Sequence, residues 1–136
     1  MSKVFIAWFA AGVLMLLLGL GMVYVCIHFF PRIADEYFSP VFRKATGDTD
    51  WTFYLHPFIL SFSLKWFWER YKGIFKGGLL LRAIEVALVY GLVALLPILW
   101  LTFSAIDVSF KMTITWFIYG IFQAFAAGLV FAKLNP

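Results

Sequence analysis

From Val4 to Phe30 the chain runs for 27 residues without an Asp, Glu, Lys or Arg. A helix rises ~1.5 Å per residue and needs roughly 20 apolar residues to cross a hydrocarbon core about 30 Å thick. This run is too long for the apolar core of a secretory signal, and no small-residue cleavage site closes it. It reads as a retained first span, tilted or protruding, that stops at Pro31. Proline has no N–H and its ring collides with the preceding turn, so the helix ladder ends there.

Composition extends that constraint to the rest of the molecule. The 136 residues are 64% hydrophobic and 13% charged, with a mean hydropathy of +0.94. A soluble domain is about 45–50% apolar and about 25% charged. Half the usual charge cannot cover a water-soluble globule, which excludes a soluble enzyme. A disordered chain is excluded because it needs low hydrophobicity and high net charge. A single cysteine rules out an internal disulfide framework and a Cys-based zinc cage. The expected fold class is an all-α integral membrane protein, one domain over residues 1–136, built as a bundle of four transmembrane helices.

The remaining spans follow from length and punctuation. Residues 31–50 hold Arg32, Asp35, Glu36, Arg43, Lys44, Asp48 and Asp50, with Tyr37, Phe38, Val41 and Phe42 among them, so this loop is expected to lie along the interface. Its final Gly47–Asp50 stretch suits a helix start, since Thr and Asp side chains cap orphan amides. The second span, residues 51–68, is short and contains Pro57. Trp51, Trp66 and Trp68 bracket it as interface anchors. A re-entrant or interfacial segment is the alternative for this stretch. The third span, 78–103, carries Glu85 and Pro97, and the fourth covers 110–132, both with length to tilt.

Charge orients the bundle. With four spans, Lys3, Lys133 and the residues around the basic loop at 69–77 (Lys65, Arg70, Lys72, Lys76 and Arg82) share one side. That side holds seven of the eleven Lys and Arg. The positive-inside rule then places both termini in the cytoplasm. Lys65, Arg70, Lys72, Lys76 and Arg82, interleaved with Trp66, Trp68, Tyr71 and Phe75, suit contact with an anionic-lipid leaflet. The net charge of +4 is therefore no nucleic-acid footprint, and no nucleic-acid partner is expected.

Lipid tails are as apolar as leucine, so helices in a membrane associate where small residues let backbones approach. Gly120, Ala124, Gly128 and Ala132 recur every four residues on the fourth span. Ala83, Ala87 and Gly91 repeat the pattern on the third, and Ala7, Ala11, Gly12 and Gly19 lie on the first. These seams serve packing inside one bundle, or one of them, on the fourth span, docks a second copy or another membrane protein. Seventeen Phe and six Trp suit a lipid-facing surface, or a surface that stacks on a partner's aromatics, a pigment, a quinone or a lipid tail.

Groups capable of chemistry are few. Glu85 lies about one turn into the third span with Arg82 three residues before it. The pair reads as an i,i+3 ion pair with both side chains reaching to water, or Glu85 reads as a proton or cation site. His28 and His56 both fall towards the outer face. If their helices adjoin, the imidazoles are candidates for axial haem ligation or for a metal site with Cys26 or Glu36. The plainer reading is two interfacial histidines bonded to loop backbone, with no cofactor. Gln123, Thr113 and Thr115 are expected to bond between helices. No GxSxG, Walker loop, HExxH, CxxC or paired-carboxylate pattern is present, so no enzyme is expected.

The stretches Phe5–Leu14 (FIAWFAAGVL), Gly73–Ala83 (GIFKGGLLLRA) and Gly128–Asn135 (GLVFAKLN), with His56 early in the second span, resemble a group of small, functionally uncharacterised four-span bacterial membrane proteins. The resemblance implies a bacterial inner membrane and a four-helix bundle, and supplies no activity or site. The heavy Phe and Trp load and the WFWERYK stretch at Trp66–Lys72 depart from that pattern. The reading that results is an accessory protein packing through helix faces against a larger membrane complex or itself. A small oligomeric transporter or channel using Glu85 comes second, and a haem- or quinone-carrying redox subunit using His28 and His56 third.

Overall fold

The computed structural model describes residues 2–44 and 47–136. Those residues are all-α: α1 (Lys3–Phe29), α2 (Pro31–Glu36), α3 (Trp51–Tyr71), α4 (Leu79–Tyr90), a π-helical turn (Gly91–Leu95), α5 (Leu96–Ala105) and α6 (Phe110–Leu134). Three helices are long and apolar enough to cross a membrane: Lys3–Phe29, the continuous rod Leu79–Ala105, and Phe110–Leu134. At 21 residues α3 is about 31 Å long. Lys65, Glu69 and Arg70 in its last turns lower its apolar content.

The helix ends follow local chemistry. The Ser2 hydroxyl accepts the Phe5 amide at the start of α1, and the Ser109 hydroxyl accepts the Met112 amide at the start of α6. Pro31 ends α1 and opens α2, where its missing N–H is no loss. Residues 31–36, expected as loop, are thus one short helix. α3 does begin after Asp50, but no side chain caps it, and the Thr52 hydroxyl instead donates to the Thr49 carbonyl at 2.7 Å.

Pro97 explains the π-turn. Its ring displaces the carbonyl four residues earlier. The rod absorbs the mismatch through a widened turn, in which the Leu96 amide reaches the Gly91 carbonyl. The extra residue turns Leu95 towards α6, so the small-residue face of α4 continues without a break.

α1 and α4 run antiparallel to α6, and α3 runs antiparallel to α1. α1 packs on α3 and α6, and α4 packs on α6 along its length. Ala83 meets Gly128, Gly91 meets Ile121, and Leu95 meets Gly120. A Cβ on Gly128 would stand 2.9 Å from the Ala83 Cα, so only glycine admits that approach. On the other side, Gly12 receives the ring of Phe58 and Gly19 the hydroxyl of Tyr119. The core joins Ala7, Ala11 and Met15 to Leu60, Leu64, Trp68, Val86, Ala124, Ala127 and Phe131.

Polar contacts between helices come from residues other than those expected. Gln123 donates to Tyr119 one turn back on its own helix. Thr113 and Thr115 donate to the Ser109 and Lys111 carbonyls. Within an apolar helix the nearest acceptor for a short side chain is the carbonyl of its own preceding turn. The α1–α3 pair is instead held by the Trp8 indole, which donates to the Phe58 carbonyl at 3.0 Å, and by Ser61, which donates to the Trp8 carbonyl at 2.7 Å.

Replacing Gly128 with Ile should cost at least about 1–3 kcal/mol by overpacking against fixed backbone. Gly21→Ala, where an added Cβ meets nothing within 4 Å, should hold or raise the Tm. Thermal unfolding of both variants in mild detergent checks the contrast, and equal Tm values would refute the close-approach account.

Candidate functional site

At one end of the bundle the last turns of α3 and α6 meet the start of α4. Lys65 is only 2% exposed, on the α3 face that packs inward. Its ammonium lies 2.5 Å from Glu69 Oε1 and 5.2 Å from the Phe131 ring centre. Glu69 also receives Lys72, at 3.4 Å, and the amide of Asn135. The fully buried Trp68 donates to the Asn135 carbonyl at 2.8 Å. Arg82 lies over the Trp68 ring, 4.6 Å from its centre, and donates to the Lys72 carbonyl at 3.2 Å. One carboxylate and one indole thus tie three helix ends together.

Of the five cations expected to meet anionic lipid, Lys65, Lys72 and Arg82 are engaged within the chain. Arg70 is exposed, its guanidinium 4.7 Å from the Trp66 ring centre, and Lys76 is exposed on the connecting loop. Sequence reasoning missed Asn135 and gave Trp68 the role of an interface anchor, whereas it is fully buried. The available signal was Glu69 four residues after Lys65, the spacing of a helical ion pair.

The Arg82–Glu85 ion pair does not form. The two salt bridges among the described residues both use Glu69. Arg82 turns instead to the Trp68 face and the Lys72 carbonyl, which satisfy its charge on the α3 side. Glu85 Oε2 and Arg82 Nε are left buried without hydrogen-bond partners.

The histidines are not brought together. Trp8 pairs with Ser61 and Gly12 with Phe58, so His56, exposed on α3, lies level with the α1 turn near residue 14. His28 is then roughly fourteen residues further along α1, about 21 Å at ~1.5 Å per residue. Its Nδ1 lies 2.9 Å from the Tyr24 carbonyl, and its ring stacks on Tyr24 at 4.1 Å. Among the described residues no three His, Cys, Asp or Glu gather as a metal site, and Glu36 accepts from the Ser109 amide and hydroxyl instead.

All seven small residues singled out on α4, the π-turn and α6 (Ala83, Ala87, Gly91, Gly120, Ala124, Gly128 and Ala132) are buried within the chain. The seam on α6 is covered by α4 and offers no free docking face. Several unfilled spaces remain along the described helices, among them one of about 500 Å³ at the basic end lined by Trp8, Lys65, Glu69 and Arg70, and two apolar ones of similar size. An open apolar groove of about 530 Å³ separates the bodies of α3 and α4, with Leu60, Phe67, Tyr90 and Val93 on its walls. A second cavity, of about 480 Å³, lies at the opposite end from the cations, between α1, the α2 segment and α6. Tyr37 at its mouth accepts the Trp116 indole N–H at 2.5 Å. Burial pushes the Tyr37 phenol up from its ordinary value, against the opposing effect of that hydrogen bond, so it is protonated at neutral pH.

Comparison with protein-family models, curated proteins and solved structures gave no match.

The polar knot makes an asymmetric prediction. Glu69→Ala leaves the Lys65 ammonium buried without its partner and should cost about 3–5 kcal/mol. Lys65→Met keeps the packing on Phe131 and removes the buried charge, so it should cost far less. Thermal unfolding of the two variants decides, and a more damaging Lys65→Met would reject the assignment.

Proposed function

We propose that this chain is an accessory integral membrane protein that docks against a transmembrane helix of a larger membrane assembly. The observation that carries this reading is the α3–α4 groove. Consecutive antiparallel helices joined by a short loop ordinarily pack side by side. Here they are tied at the basic end by Arg82 over Trp68, and further along they leave apolar walls uncovered. Val93, 72% exposed on the π-turn, stands at the edge of that opening. A neighbouring helix would bury Leu60, Phe67 and Tyr90 as a fifth member of the bundle. In this reading α3 crosses the bilayer as the second of four spans, its alternation with α1 and α4 supporting a full crossing. The bacterial inner membrane follows the family resemblance. Cytoplasmic termini follow the concentration of cations at one end.

Native mass in mild detergent, after extraction from the source membrane, tests the proposal. The wild type should carry a foreign subunit or a second copy, and Val93→Trp should release it with the Tm unchanged. A bare monomer would overturn the reading.

One observation favours a transporter as the second reading: Glu85 Oε2 is buried and unpartnered, as a membrane-embedded proton site would be. Glu85→Gln should then abolish flux through reconstituted protein while leaving expression unchanged, and unaltered flux would remove this reading.

A further inference from the structure

The cavity at the end opposite the cations has a lining chemistry that selects its ligand. Its walls come from the second half of α1 (Met22, Val23, Cys26), from α2 and the turn after it (Ala34, Tyr37), and from α6 (Trp116, Tyr119). No charged side chain lines it among the described residues. Its volume of about 480 Å³ lies in the usual range of small-molecule sites, roughly 300–1,000 Å³, which are mostly apolar with a few placed polar groups.

Those polar groups are two phenols, and each already accepts a hydrogen bond. Tyr37 Oη accepts from the Trp116 indole, and Tyr119 Oη accepts from the Gln123 amide at 2.8 Å. Among the described residues neither phenol donates its own proton. Thr115 offers nothing further, because its hydroxyl is spent on the Lys111 carbonyl. The cavity therefore presents two free O–H donors, one at the mouth and one on the inner wall, within an otherwise apolar surface. Such donors seek an acceptor, and water is a poor candidate for Tyr119 on the apolar inner wall, whereas Tyr37, 43% exposed, stands at the mouth. The segment over the mouth is anchored, since Glu36 accepts both the amide and the hydroxyl of Ser109 at the start of α6. Phe42 packs edge-on against Trp116.

We propose that this cavity binds a neutral, membrane-soluble molecule that joins an apolar body to a carbonyl oxygen, held by the phenolic protons of Tyr37 and Tyr119. A quinone with its tail and an ester-linked acyl chain of a membrane lipid share that chemistry. The proposal is independent of the docking groove, which opens between α3 and α4 around Leu60, Phe67, Tyr90 and Val93 and shares no lining residue with the cavity.

Two measurements on the purified full-length chain test it and separate the two sources. Decylubiquinone titrated into detergent-solubilised protein should quench tryptophan fluorescence saturably, with that component absent in Trp116→Phe. For the lipid source, native mass spectrometry from nanodiscs should show one diacyl phospholipid retained per chain and the dialkyl ether analogue, which lacks the carbonyl, not retained. In whichever arm binds, Tyr119→Phe should weaken binding about fivefold to tenfold, the scale of one lost hydrogen bond. Val23→Trp should abolish it by filling the space. Tyr→Phe keeps each ring in place, so the double Tyr37→Phe, Tyr119→Phe variant decides even where Val23→Trp fails to fold. No saturable binding in either arm, equal retention of the ether lipid, or wild-type binding by the double variant would overturn the proposal.

Discussion

The arrangement of the bundle rests on the contact between Gly128 and the backbone of Ala83. Inside a membrane, burying one apolar side chain against another gains little over leaving it in lipid, so helices must gain from close backbone approach and dense packing. The α4–α6 interface makes that approach along its length, with Gly128, Gly91 and Gly120 each taking a neighbour where a side chain would stand. Once α4 is seated on one face of α6, its opposite face is left for α1, whose Gly19 leaves room for the Tyr119 side chain. α3 then reaches α6 chiefly at the basic end, through Trp68, Phe131 and Asn135.

The π-turn belongs to the same constraint. Pro97 would break the ladder of the Leu79–Ala105 rod two-thirds of the way along, and a kink there would swing α5 off α6. The widened turn at Gly91–Leu95 takes up the lost hydrogen bond and redirects Leu95 onto Gly120. It also leaves Leu92 and Val93 strongly exposed, beside the groove where α3 has moved away. A packing repair on one face of the rod thus creates an uncovered surface on the other.

What the sequence made legible follows from which signals are local. Run length and proline positions placed α1, the Leu79–Ala105 rod and α6 within two residues at each end, because those signals do not depend on neighbours. Four-residue spacing of Gly and Ala marked the seams for the same reason, but periodicity carries no information about which helix fills a seam. Spacing alone leaves the α6 seam open to an internal or an external partner, and in the fold α4 covers it, with Ala83 on Gly128 and Leu95 on Gly120. Polar side chains were the least legible. Arg82 lies three residues from Glu85, yet its guanidinium goes to an aromatic face contributed by α3, and Asn135 enters the knot from the far end of the chain. The phenols of Tyr37 and Tyr119 are 82 positions apart and share a cavity only because α2 folds back over α6.

These placements divide the molecule by chemistry. Seven of the eleven Lys and Arg lie at one end, where Glu69 meets Lys65 and Lys72 while Trp68 takes Arg82. The small residues are consumed in holding helices together. What remains to face other molecules includes aromatic and aliphatic surface, the exposed Arg70 and Lys76, an open groove between α3 and α4, and a cavity whose polar groups are uncharged donors. The groove between α3 and α4 and the half-open cavity between α1 and α6 are the two surfaces on which the docking and ligand proposals rest.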